Sequence, residues 1–111
     1  MAKVVPFKKK QKHPAAPGLL STHDAQRLVR LLAQDSKNVF IIAHGRKRQA
    51  KRGISRRQIM TCLQKGVVSE GPFINAHGNL QVNVTRLAAG EEITCVVAIE
   101  HETQLIVVTV F

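Results

Sequence analysis

His44, Arg48 and Arg52 stand four residues apart within the stretch His44-Gly-Arg-Lys-Arg-Gln-Ala-Lys-Arg-Gly-Ile-Ser55. On a helix, one turn separates each from the next, and the three form a stripe about 12 Å long at a rise of 1.5 Å per residue. A guanidinium binds phosphate oxygens as a bidentate fork, and an imidazole donates or accepts a proton near neutral pH. The spacing therefore suits a phosphodiester. Two plainer readings stay open: like charges at this spacing are common on solvated helices, and a histidine at a helix start can bond a backbone group.

The surrounding charge sharpens the choice. The chain of 111 residues carries a formal net charge of +10, distributed unevenly. Residues 44–65 hold Arg46, Lys47, Arg48, Lys51, Arg52, Arg56, Arg57 and Lys65 with no carboxylate, which is +8. Residues 1–18 add +5 from lysines alone, 19–43 are close to neutral, and from Gly66 onward only Arg86 opposes five glutamates. Charge spread evenly would serve solubility, whereas a basic region facing an acidic one implies a polyanionic partner on one side. Arg46, Lys47, Lys51, Arg56, Arg57 and Arg86 are accordingly the candidate contacts to an RNA or DNA backbone. A solvated basic face is the alternative.

The elements that must position these residues are readable from period and punctuation. Residues 1–18, lysine- and proline-rich and ending at Gly18, are expected to be a disordered basic tail, with 19–111 a single domain. Ser21 or Thr22 can cap a helix in which Ala25, Leu28, Val29 and Leu32 share one face. Val39 to Ala43 is short, apolar and β-forming, and reads as a strand or extended segment. A short helix follows over 44–52, stopped at Gly53, and Ser55-Arg-Arg-Gln58 opens a capping box for a helix ending at Gly66. Beyond it the period falls to two: Val67 to Pro72, Leu80 to Thr85, Ile93 to Ile99 and Leu105 to Phe111 read as strands joined by turns. The last, almost wholly apolar, is expected to be covered on both faces. The fold class is α+β, with N-terminal helices on one face of an antiparallel sheet of about four strands.

The pattern His44-x-x-x-Arg48, then Arg52-Gly-Ile-Ser55, a helix ending Leu63-Gln-Lys-Gly66 and three closing strands resembles a family of small bacterial domains of unknown function. That family is commonly placed near the RelE, ParE and BrnT toxins. The resemblance covers Thr22 to Val110 in element order, with specific residues matching in 44–66. It implies helices on an antiparallel sheet and, by a longer step, a toxin-like protein that cleaves RNA, paired with an acidic antitoxin. His44, Arg48 and Arg52 then fall on the signature as candidate catalytic residues. The chain departs from many such toxins in having no tyrosine and no C-terminal histidine. Cleavage needs a base for the 2′-hydroxyl, an acid for the leaving oxygen and cations on the phosphate, and the sequence supplies mainly the cations. Glu70, His77, His101 and Arg86 are the other groups available, all distant from His44 along the chain.

Two further classes remain. Helix 44–52, the Gly53-Ile54-Ser55 turn and helix 56–65 resemble a DNA-binding helix-turn-helix, one residue short between Ala50 and Gly53, which would send Arg56, Arg57 and Gln58 to base edges. A noncatalytic interaction module would use a strand edge or the basic face against an acidic protein. The five histidines are scattered and Cys62 and Cys95 lie in apolar patterns, so no metal or other cofactor is expected and the thiols read as buried. No run is long enough to span a membrane, and a soluble cytoplasmic protein is expected. With Trp and Tyr absent, Phe40 and Phe73 are the only candidates for base stacking in the middle of the chain, and both are expected to be buried.

Overall fold

Ser21 caps the first helix by accepting a hydrogen bond on its Oγ from the Asp24 amide at 3.0 Å, and helix α1 runs Thr22–Leu32 with Ala25 and Val29 buried. The computed structural model describes residues 20–88 and 90–111, so the tail expected over 1–18 lies outside the described residues. A single 3₁₀ turn, Ser36–Asn38, leads into strand β1, Val39–Ile41. Helix α2 spans Ala43–Arg52 and stops where Gly53 takes φ 65°, the left-handed conformation that glycine adopts without steric cost. Ser55 and Gln58 then form the reciprocal capping box of helix α3, Arg56–Lys65.

Four longer strands complete the chain: β2 Val67–Ile74, β3 Leu80–Ala88, β4 Glu91–Glu100 and β5 Gln104–Val110. They form one sheet in the order β1-β5-β4-β3-β2. The sheet has five strands rather than about four, and it is mixed rather than wholly antiparallel. Val39, Phe40 and Ile41 pair in parallel with Leu105, Ile106 and Val107. A parallel partner needs a long crossover. Here everything from α2 to β4 intervenes, a relation invisible to a reading of hairpin turns.

Register decides which side chains meet the helices. Val84 opposes Cys95 and Val82 opposes Val97, all buried beneath α1 and α3 with Ile59, Cys62, Leu63, Leu105 and Val107. The cysteines lie in this core, as their apolar contexts implied. Arg30 of α1 reaches across to the C-terminus of α3 and donates to the Gly66 carbonyl at 2.7 Å through Nη2 and 3.2 Å through Nε. It supplies a cation where the helix carbonyls are left without intrahelical donors.

Helix α2 is placed differently from α1 and α3. It lies along β5, close enough that an added Cβ on Gly45 would stand 2.9 Å from the Val107 carbonyl oxygen and 3.1 Å from Ile41 Cγ2. The helices are thus divided between two parts of the sheet. The strand expected to be covered on both faces is covered on one: Leu105, Val107 and Val110 are buried, while Ile106 and Val108 are half-buried on the other side. Phe40 and Phe73, expected inside, are exposed, because the register gives their alternating positions to the side away from α1 and α3. Among the described residues, no helix is long and apolar enough to cross a membrane.

Candidate nucleic-acid interface

Successive residues of a helix are turned by about 100°, which fixes how α2 distributes its charges. Gly45 is buried and Arg48 and Gln49 are half-buried, so the side facing the sheet runs through these three positions. His44, Lys47, Arg48, Lys51 and Arg52 fall in one sector of about 140°, with His44, Lys47 and Lys51 on the adjoining flank and Arg48 and Arg52 within the packed arc itself, Arg52 exposed at the last turn. The 44, 48, 52 stripe therefore borders the packed side instead of facing outward alone, and Lys47 and Lys51 join it. Arg48 is drawn inward: its guanidinium carbon stands over the Phe111 ring, 6.0 Å from the centroid. A cation on an aromatic face keeps its outward N–H donors while its orientation is narrowed.

Arg46 lies on the opposite flank. Its Nε donates to the Ile41 carbonyl at 3.1 Å, tying α2 to the strand before it. Arg56, at the start of α3, is likewise engaged: Nη2 donates to the carbonyls of Ser36 at 3.2 Å and Val39 at 3.1 Å. A guanidinium spent on the connection into β1 is poorly available to a base edge, which weighs against the helix-turn-helix arrangement. Arg57 is exposed beside it.

Arg86 does not join the α2 flank. It pairs with Ile93 in the β3–β4 ladder and lines a cleft of ≈ 250 Å³ with Arg57, Thr61, Cys62 and Glu91, under the first turns of α3. On the floor of that cleft Cys62 Sγ lies 3.4 Å from the Val84 carbonyl and 3.6 Å from that of Ile93. The hydrogen bond with the Cys95 thiol holds Cys62 below its ordinary pKa against the opposing effect of burial, with Arg86 adding a smaller pull. The same bond, together with burial, pushes Cys95 up. The two thiols behave as one buried pair, and their pairing across helix and sheet has no signature in sequence.

The open side of the sheet carries polar groups in rows. Thr85 is hydrogen-bonded through its hydroxyl to Ser69 and to Thr94, each at 2.9 Å, and Thr94 exchanges backbone bonds with Phe111 under Arg48. Thr109 Oγ1 is buried there without a hydrogen-bond partner. Farther along the same side, His77 and His101 line one groove of ≈ 780 Å³ with Glu100, Gln81, Ile106 and Ile42. Glu70 is elsewhere, accepting from Asn83 Nδ2 at 2.9 Å. The structure thus brings together two histidines that stand 24 positions apart in the chain. Among the described residues no group of three His, Cys, Asp or Glu side chains is placed to hold a metal ion.

Comparison with known families matches residues 41–111 to the domain of unknown function DUF4258. The chain belongs to that family. The DUF4258 match begins at Ile41, so it takes in α2, α3 and β2 to β5 and includes every candidate contact named above, whereas α1 precedes it. No curated protein and no solved structure matches the chain.

Proposed function

We propose that this DUF4258 protein binds nucleic acid by its phosphate backbone, through the flank of α2 formed by His44, Lys47, Arg48, Lys51 and Arg52, with Arg57 at the start of α3 as a further contact. The observation that carries the reading is electrostatic. From Ser36 to Ser69 the chain has no carboxylate, and Lys47, Arg48, Lys51 and Arg52 lie within one sector of α2, with Arg57 at the next helix start. Such a surface raises the local concentration of a polyanion and releases its counterions on contact. Arginines suit phosphate as bidentate donors, and Arg48 is oriented by Phe111. Helix α2 itself carries cations and no aromatic side chain, so contact there is chiefly with backbone.

The function proposed is that of a toxin-like protein acting on RNA, with metal-independent cleavage as the reaction class and an acidic antitoxin-like protein as the partner that would mask the flank. Its test is binding of a labelled single-stranded RNA and a duplex DNA by wild type, by an Arg48→Ala, Arg52→Ala variant and by Arg57→Ala. The expected result is tighter binding to RNA, weakened by each variant without loss of folding. Unchanged RNA affinity in the double variant would remove the α2 flank from the interface.

A further inference from the structure

We infer that the groove on the open side of the sheet, where His77 and His101 converge, is a catalytic site that cleaves RNA by internal transesterification. The inference rests on the nucleic-acid reading above and adds to it a pair of proton-transferring groups distinct from His44 of the α2 flank.

Three independent features point to this groove. His77 and His101 come from two different hairpins, and each turn holds the backbone that carries them. Asn75 Oδ1 accepts from the His77 amide at 2.9 Å and from the Asn79 amide at 3.0 Å, which locks the β2–β3 turn. His101 and Glu102 form the β4–β5 turn with φ 53° and 56°, closed by the Thr103 amide on the Glu100 carbonyl at 3.1 Å. A turn with two successive left-handed residues favours asparagine and glycine, and this one holds histidine and glutamate instead. Side chains kept in a backbone conformation that disfavours them are the kind of departure that accompanies a working site.

The rest of the groove suits a nucleotide. Ile106, Val108 and Ala98 give an apolar floor for a base or ribose face. Gln81 Oε1 accepts from Asn75 Nδ2 at 3.1 Å, which orients its NH₂ as a donor. Ile42, on the rim, is also the N-cap residue of α2 and provides no side-chain acceptor for the first-turn amides. Ile42 thus sets the groove beside the start of α2.

In the reaction, one imidazole takes the proton of a ribose 2′-hydroxyl and O2′ forms a bond to phosphorus. The bond from phosphorus to O5′ breaks, and the other imidazole gives O5′ its proton. The products are a 2′,3′-cyclic phosphate and a 5′-hydroxyl, and no metal, oxidant or water is consumed.

The experiment uses the full chain with a 5′-labelled single-stranded RNA and its all-deoxy counterpart, in chelator, with binding measured in parallel. The variants are His77→Gln and His101→Asn, the latter chosen because asparagine retains the left-handed turn. The expected result is RNA cut to 2′,3′-cyclic ends, an intact deoxy strand, and a loss of at least about 100-fold in cleavage with either variant while RNA affinity stays within about twofold. His23→Ala, on the exposed start of α1, leaves cleavage unchanged. Cleavage insensitive to both variants, or cleavage of the deoxy strand, overturns the inference. Bound but uncut RNA also overturns it while leaving the α2 interface standing, and absence of binding removes that interface first.

Discussion

Replacing Gly45 with alanine sets a gain in helix propensity against a steric cost, and the structure decides the sign. Alanine in a helix interior is favoured over glycine by about 1 kcal/mol. The added Cβ would stand 2.9 Å from the Val107 carbonyl oxygen, 3.1 Å from Ile41 Cγ2 and 3.4 Å from the Val108 carbonyl oxygen. Two of these neighbours are backbone atoms of a paired strand and cannot turn aside as a side-chain tip would. Forcing extra volume into such a contact costs about 1–3 kcal/mol, so the net expectation is a loss of about 1 kcal/mol. For a domain of this size that lowers the melting temperature by about 4–8 °C. Urea unfolding should show a lower midpoint with an unchanged slope. Because α2 carries the cationic flank, RNA affinity measured on the folded variant should fall as well. Gly53→Ala is the control: nothing lies within 4 Å of the added atom and only the positive φ of 65° opposes it, so stability falls without displacing α2. A Gly45→Ala protein as stable as wild type, with the same slope, would refute the reasoning that this glycine seats α2 on β5.

Arg56→Ala removes donors to the Ser36 and Val39 carbonyls, and should cost about 1–2 kcal/mol in urea unfolding while RNA affinity changes less than with Arg57→Ala. Gln58→Ala breaks the capping box of α3 and should cost about 1 kcal/mol by the same measurement, because Ser55 keeps its own bond to the Gln58 amide. Cys95 is 0% exposed and lies outside the cleft that Cys62 lines, so a thiol reagent added to folded protein should react with Cys95 only as the protein unfolds; a rapid burst at Cys95 would contradict its burial.

Much of the architecture was legible because local rules and tertiary packing agree. Ser21, the Ser55–Gln58 box and Gly53 mark helix ends that the structure reproduces, and period-two alternation in Leu80 to Thr85 matches the buried and half-buried sides of β3. The parallel pairing of β1 with β5 was not legible, since it joins residues more than sixty positions apart without a turn to announce it. Exposure of Phe40 and Phe73 was missed for a related reason: side chains alternate in a strand, and only the register tells which side the helices cover.

The candidate site divides the same way. The cationic stretch is visible in composition, and the helical period places most of it on one flank. Which arginines are free depends on partners: Arg46 and Arg56 bond carbonyls brought near by β1, and Arg86 faces the α3 cleft away from α2. The groove shared by His77 and His101 arises from two hairpins whose neighbouring turns meet only once β3, β4 and β5 are in register.

The salt dependence of RNA binding tests the central claim most directly. A contact made by about five cations on a single strand should give log affinity against log salt a slope near −3.5. Lys47→Ala, Lys51→Ala and Arg52→Ala combined should make that slope shallower by about 2, with folding intact. A slope near zero for wild type, or one that the triple variant leaves unchanged, would contradict the assignment of the α2 flank as a nucleic-acid interface.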